Sequence, residues 1–164
     1  VASVEKTLVV LKPDAVARGL VGRLIQRFED AGFKIVGAKM AVMDAEFTRK
    51  HYFDLEERLG KAVYDANAAA MQRGPVIAMV IEGVEAVANI RRLVGGTYPS
   101  EAAPGTIRGD FAHQSKAYCN EQGKAVCNLV HASGNVDEAK QELDLWFPRN
   151  EQFDYHTLAE TFTF

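Results

Sequence analysis

Residues 76 to 83 read VIAMVIEG, six apolar side chains in a row before the first charge. Successive side chains of a strand point to opposite faces, so this run is apolar on both and has to be covered on both. A strand of this kind belongs inside a sheet, and it is far too short to cross a bilayer. The rest of the chain has to supply the neighbouring strands and the cover.

Residues 7–12, TLVVLK, are β-branched and apolar and stop at Pro13, which reads as a first strand. Leu20, Val21, Leu24, Ile25 and Phe28 recur at helical spacing ahead of Gly32. From Phe33 to Met43 the pattern is extended, with Val36, Ala38, Met40 and Val42 expected on one face and Asp44 as the next N-cap. Ala45 to Arg73 predicts two helices, broken near Gly60. After the apolar strand come a helix in VEAVANIRRLVGG, a long loop in TYPSEAAPGTIRGDF and a last strand in AVCNLVHA. Asn135 and Glu138 then form a capping-box pattern before a helix whose Val136, Ala139, Leu143 and Trp146 share a face. The order predicts one domain over residues 1–164, a βαββαβ core with additions, read as a mixed sheet with helices on one face.

Composition narrows the function classes. Hydrophobic residues at 48% and charged residues at 25% are those of a compact globular chain. A net charge of −3 gives no basic face for duplex nucleic acid, and the strands lack the stacked aromatics of an RNA-binding sheet. No basic stretch leads into an apolar signal core near Val1, so the expected location is cytoplasmic, with no membrane contact. Cys119 and Cys127 are not at zinc-site spacing and read as free thiols.

Any bound anion therefore needs a local cluster. The loop from Gly95 to Phe111 offers one: Pro99 and Pro104 stiffen it, its glycines let backbone approach a ligand, and Thr97, Thr106 and Arg108 are donors suited to phosphate. Arg91 continues the row Val84, Val87, Val94, which puts a charge on an apolar helix face, where it either meets an anion or snorkels out at the helix flank. Lys12 ends the first strand, a position that by itself suits an ordinary surface lysine. His131 stands between Val130 and Ala132 at the end of the last strand, where a histidine is either a core side chain or a reactive one.

Taken together, LKPDAVARGLVGRLIQRFEDAGFKIVGAKM, HYFDL, GPVIAMVIEG, YPSEAAPGTIRGDF and NLVHASGNVDEAKQELDLWF closely resemble the nucleoside diphosphate kinases, from about Lys6 to Phe147 and in the same order. The tail, residues 148–164, lies outside this core. The resemblance implies a ferredoxin-like α/β sandwich of α+β type, with a four-stranded antiparallel sheet, extra helices and a long nucleotide-binding loop. It implies a ping-pong transfer of the γ-phosphoryl group from a nucleoside triphosphate to a nucleoside diphosphate (ATP, GTP, ADP, GDP and deoxy forms) through a phosphohistidine at the position of His131. Lys12, Tyr52, Arg91 and Arg108 match groups around the transferred phosphate, and Arg58 and Thr97 match contacts to the inner phosphates. Asn128 matches a sugar contact, while Ser133 and Glu142 match the pair that holds the histidine. Mg²⁺ is expected to be held mainly by nucleotide phosphates and water, with Asp54 touching it at most through water. A homo-oligomer is implied, a hexamer or a tetramer, with the aromatic tail available to pack on a neighbour.

The chain departs from the family's pattern at three places. Leu59 and Gly60 follow Arg58 where an aromatic residue usually stacks on the base, which leaves Tyr64 as the nearest ring. Gly134 stands where many members carry an acidic residue. Residues 112–126, AHQSKAYCNEQGKAV, are extra relative to the shortest members. One geometric conflict also stands: Asn128 and His131 are three apart and would point to opposite faces of a regular strand.

Overall fold

The computed structural model describes residues 2–164. In chain order its elements are β1 (Val4–Leu11), α1 (Pro13–Ala17), α2 (Val21–Asp30), β2 (Lys34–Ala41), α3 (Ala45–His51), α4 (Leu55–Leu59), α5 (Lys61–Met71), β3 (Val76–Val84), α6 (Ala86–Val94), α7 (Ile107–Phe111), α8 (Lys116–Glu121), β4 (Val130–Ala132), α9 (Val136–Trp146) and α10 (Glu160–Thr163). The strands form one sheet in the order β2-β3-β1-β4, the ferredoxin-like arrangement, and every neighbouring pair is antiparallel. The sheet is therefore not mixed. β3 is interior, as its apolar run requires.

Helices cover both faces rather than one. Val9, Leu11, Met79 and Ile81 pack under Leu24 and Phe28 of α2 and Ile90 and Val94 of α6. Their strand neighbours Leu8, Val10, Ala78 and Val80 point the other way, onto Leu143 and Trp146 of α9, with Phe147 beyond its end and Met71 of α5. The physical reason lies in the two interior strands: with both faces apolar, either face left open would expose a continuous hydrophobic patch.

Three other expectations change. β2 carries a bulge: Ile35 pairs with Ile81 and Gly37 with Val80, so Val36 is the extra residue. Val36 is buried against α9, whereas Ala38 and Met40 fall on the opposite face, and Met40 and Val42 are 60% and 71% exposed. The four do not share a face. The stretch from Ala45 to Met71 holds three helices, because the chain turns at Tyr52 before α4 and again at Gly60, whose φ of +91° suits glycine. The long loop is partly helical, with a 3-10 turn at Pro99–Glu101 and then α7. Thr106 is the N-cap of α7, its hydroxyl accepting from the Gly109 amide and donating to the Ala103 carbonyl, so it is a structural cap and not a phosphate donor.

The tail returns along β2, where the Phe153 amide donates to the Val36 carbonyl at 2.8 Å. Lys34, 6% exposed, ties it down through Glu160 at 2.7 Å and Glu82 at 2.9 Å. Burial alone would lower the Lys34 pKa, but the two carboxylates outweigh it and hold the ammonium charged. Phe153, Leu158 and Phe162 remain exposed on this edge.

Candidate active site

The last strand is shorter than its sequence suggests, and the reason resolves the conflict between Asn128 and His131. Leu129 has φ +72°, a left-handed conformation that costs a non-glycine residue roughly 1–2 kcal/mol. Two hydrogen bonds hold it there: its amide donates to Asp14 Oδ2 at 3.1 Å, and its carbonyl accepts from the Lys12 amide at 2.8 Å. The reversal turns Asn128 toward Lys12, whose ammonium donates to Asn128 Oδ1 at 2.7 Å. Asn128 Nδ2 in turn donates to the Thr97 carbonyl at 2.8 Å.

Past the turn, β4 pairs with β1, His131 standing opposite Val10. His131 Nε2 lies 2.6 Å from Glu142 Oε2. An ionised carboxylate can only accept, so Nε2 carries the proton and Nδ1 keeps its lone pair. Ser133 Oγ donates to the same carboxylate oxygen at 3.3 Å and accepts from the Leu8 amide, which ties Glu142 to β1. Glu142 is on α9, whose start is capped as expected: Asn135 Oδ1 accepts from the Glu138 amide, and Glu138 reaches back to the Gly134 amide.

A cleft of about 270 Å³ opens over His131. Lys12, Tyr52, Arg58, Arg91, Thr97, Arg108 and Glu142 line it, so eight of the ten residues singled out by the sequence meet around one space. The other two, Ser133 and Asn128, are buried behind it and hold Glu142 and Lys12 in place. Arg91 flanks the apolar face of α6 rather than lying on it: Ala86, Val87, Ile90 and Val94 are buried, and Arg91 is exposed at the cleft.

Arg108 is the most constrained of the cations. Its Nε donates to the Asn128 carbonyl, and its two terminal nitrogens donate to the carbonyls of Gly95 and Val130 at 3.0 and 2.6 Å. Three of its five N–H groups are thus engaged, and two are left for a ligand. Gly109 beside it cannot be replaced cheaply, since a Cβ there would lie 2.2 Å from the Ala103 carbonyl oxygen. Burial, and then the nearby Arg91, bring the Arg108 pKa down to about 10. Burial, and then Arg108, lower that of Lys12 to about 8. Tyr52 is pushed well above the usual phenol range by burial and by Glu142. Burial is the larger cause in each, and the like charges of Arg91 and Arg108 add to it at Arg108 and Lys12.

The Lys12 shift has a testable sign. An ammonium with a pKa near 8 is charged at pH 7 and loses its charge as pH rises through about 8. Turnover per substrate encounter, kcat/KM, should therefore fall above pH 8. In Lys12→Arg the descending limb should move up by more than one pH unit, because guanidinium stays charged. A limb that stays put in Lys12→Arg would exclude Lys12 as its source.

One residue at the site was not singled out from the sequence. His51, at the end of α3, is 7% exposed, and its ring meets the His131 ring nearly edge-on with centroids 4.6 Å apart. Burial, then His131 and Lys12, hold its pKa well below 6.5, so it is neutral. Trp146 Nε1 donates to His51 Nδ1 at 3.1 Å. An indole can only donate, so the His51 proton sits on Nε2, which has no hydrogen-bond partner. Nitrogens of His51 and His131 and an oxygen of Glu142 lie within 4.8 Å of one another. The trio does not suit a metal, because neither Nε2 of His51 nor Nε2 of His131 has a lone pair to offer. The only sequence signal for His51 was its place beside Tyr52. Trp146→Phe should keep the ring packing but release the tautomer. Nitrogen-15 spectra of the histidines should then show His51 Nδ1 partly protonated, where the wild type shows it bare.

Tyr64 does not reach the site. It shares the inward face of α5 with Ala68 and Met71, is 6% exposed, and has the Arg49 guanidinium 3.7 Å over its ring. The offset from Gly60 decides this: starting α5 at Lys61 places Tyr64 on the buried side of the helix.

A family model described as nucleoside diphosphate kinase matches residues 5–152. A nucleoside diphosphate kinase of Borreliella burgdorferi is 43% identical over 92% of each chain, and one of Pyrococcus furiosus is 45% identical over 97% of this chain and 92% of its own. A solved transition-state mimic of the Borrelia burgdorferi enzyme with bound vanadate and ADP superposes with a TM-score of 0.94 at 41% identity, covering 98% of this chain and 96% of that one. With a family model spanning nine-tenths of its length and such relatives at both sequence and structure level, the chain belongs to the nucleoside diphosphate kinase family.

Proposed function

We propose that this nucleoside diphosphate kinase transfers the γ-phosphoryl group through His131, and that the residues around the cleft divide the work as follows. His131 Nδ1 attacks the γ-phosphorus; the bond from that phosphorus to the β,γ-bridging oxygen breaks, and the nucleoside diphosphate leaves. In the second half-reaction a terminal phosphate oxygen of the acceptor diphosphate attacks the same phosphorus, and the imidazole is restored. Nδ1 needs no separate base, because Glu142 holds the proton on Nε2 and stabilises the positive charge that the ring gains on phosphorylation. Lys12, Arg91, Arg108 and the Tyr52 hydroxyl surround the moving phosphoryl group, whose oxygens carry the charge of a loose transition state. Arg58 and Thr97 meet the inner phosphates. Asn128, matched from the sequence to a sugar contact but buried behind the cleft, acts by holding Lys12 and the Thr97 carbonyl in place, and Ser133 steadies Glu142.

The observation that carries this reading is the 2.6 Å contact between His131 Nε2 and Glu142 at the base of a cleft lined with cations. Mg²⁺ would neutralise the β- and γ-phosphates. The acidic residues lining the cleft are already engaged: Glu142 with His131, Glu138 with the Gly134 amide, and Asp54 with Arg58 at 2.9 Å. The ion would then be held mainly by phosphate oxygens and water, with Asp54 the carboxylate that would act through a water. We place the protein in the cytoplasm as one domain. Support comes from its two free cysteines, which suit a reducing compartment, and no described helix is long and apolar enough to cross a membrane. A hexamer or tetramer is supported by the exposed Met40, Val42, Phe153 and Phe162 near the β2 edge and tail, and a solution mass decides it.

The test is direct. Protein incubated with γ-labelled ATP alone should take up label that acid releases and alkali does not, and added GDP should discharge it as labelled GTP. Label that passes to GDP without ever appearing on the protein would replace the two-step route with direct transfer.

A further inference from the structure

His51 lines the phosphate cleft with Lys12, Tyr52 and His131, and phosphotransfer as proposed gives it no task. Its two ring nitrogens face opposite ways. Nδ1 accepts from the Trp146 indole at 3.1 Å, on the buried side toward α9. Nε2, which carries the proton, is therefore turned away from that indole, and it is buried without a hydrogen-bond partner in a side chain only 7% exposed. A buried N–H without a partner is costly, and a catalytic role is one of the few reasons for a fold to keep one. Among the described residues no group supplies the acceptor. Lys12, Arg91 and Arg108 can only donate, and Glu142 Oε2 already accepts from both His131 and Ser133. The His131 ring stands at 79° to that of His51 with centroids 4.6 Å apart, so a group bonded to His131 Nδ1 is a close neighbour of the His51 ring.

We propose that His51 is a further catalytic residue, its Nε2–H donating to an oxygen of the phosphoryl group carried by His131, with Trp146 keeping the proton on Nε2. The inference rests on the proposed phosphotransfer through His131. A phosphoryl group on Nδ1 brings oxygens that carry negative charge, and these are the acceptors that the wall of the cleft lacks. A neutral donor differs in kind from the cations around it. It steadies a phosphoryl oxygen without placing another positive charge beside the ring that becomes positive on phosphorylation. Burial, then His131 and Lys12, keep His51 in that neutral form.

Two variants of the full chain separate the tie to Trp146 from the donor to the cleft. Asparagine sets its side-chain oxygen near the place of Nδ1, and glutamine sets its amide nitrogen near that of Nε2. His51→Asn keeps an acceptor for Trp146 and loses the donor. Its single-turnover labelling by γ-labelled ATP should slow by about ten- to a hundredfold, the range of one hydrogen bond to a charged group, with the ATP concentration for half-maximal rate little changed. His51→Gln keeps the donor and should label within about threefold of the wild-type rate. In the wild type, proton–nitrogen spectra of the histidine rings follow the same N–H, which should move downfield when His131 is phosphorylated, as a charge-assisted bond forms. His51→Asn labelling at the wild-type rate overturns the inference. So does a His51 Nε2–H signal that stays put or moves upfield in the phosphorylated protein, and this spectrum alone decides if both variants are slow. A wild type that takes up no label would instead remove the proposed function itself, so the two failures are told apart.

Discussion

His131→Ala should lower phosphotransfer by a factor on the order of 10⁴ to 10⁶, because deleting a nucleophile leaves only positioning and electrostatics, which cannot form the covalent intermediate. The protein should also lose its acid-labile label entirely. Stability should change much less, by about 1–2 kcal/mol. The backbone ladder between β4 and β1 does not use the side chain, and the His131 side chain is 20% exposed. What is lost in the fold is the contact to Glu142, which is itself 13% exposed and keeps Ser133 as a donor. Circular dichroism melts and labelled-ATP assays on the same preparation separate the two effects. Exchange at even one-hundredth of the wild-type rate would move the nucleophile elsewhere.

Arg108→Ala should combine a large kinetic loss with a structural one. Two of its N–H groups are free to meet charge on the phosphoryl oxygens, and removing one such fixed donor typically costs about 10²- to 10³-fold in kcat. The other three bind the carbonyls of Gly95, Asn128 and Val130, which join the loop after α6 to both sides of the Leu129 turn. At about 1 kcal/mol each, their loss amounts to roughly 3 kcal/mol, or a fall in Tm of about 6–12 °C for a chain of this size. Arg108→Lys retains the charge but not the fork, so it should recover part of kcat and little of Tm. A variant with normal Tm and low kcat would show that the three carbonyl contacts hold nothing, while normal kcat with low Tm would make Arg108 a structural brace alone.

Much of the site could be read before any coordinates. The apolar run at 76–81 demanded an interior strand, Asp44 and Asn135 cap the helices they precede, and Arg91, Thr97 and Arg108 were legible as anion donors, whereas Lys12, Tyr52, Arg58 and the role of His131 followed only from the family resemblance. Other features depend on partners distant in the chain. Trp146 fixes the tautomer of His51 from 95 residues away, and Asp14 meets the Leu129 amide across 115. No local pattern carries such information, because the hydrogen bond exists only once α3 and α9 share a sheet face and α1 lies beside the last strand.

The sequence by itself determined the order of the four strands and of the helices α2, α6 and α9 and the chemistry open to each side chain, since periodicity, capping and side-chain chemistry are local properties of the chain. The tertiary structure alone decided where those side chains face. Local periodicity made Val36, Ala38 and Met40 equivalents, and a single bulged residue in β2 put them on opposite faces. It likewise set Asn128 against His131, and one left-handed residue, paid for by hydrogen bonds to Asp14 and Lys12, turned Asn128 toward the cleft. It left Tyr64 open as a base platform, and packing of α5 against Leu55 buried it. In the two strand cases a single irregular residue reverses the side-chain direction, and the cost of the left-handed one, about 1–2 kcal/mol, is offset by hydrogen bonds that only the assembled fold provides.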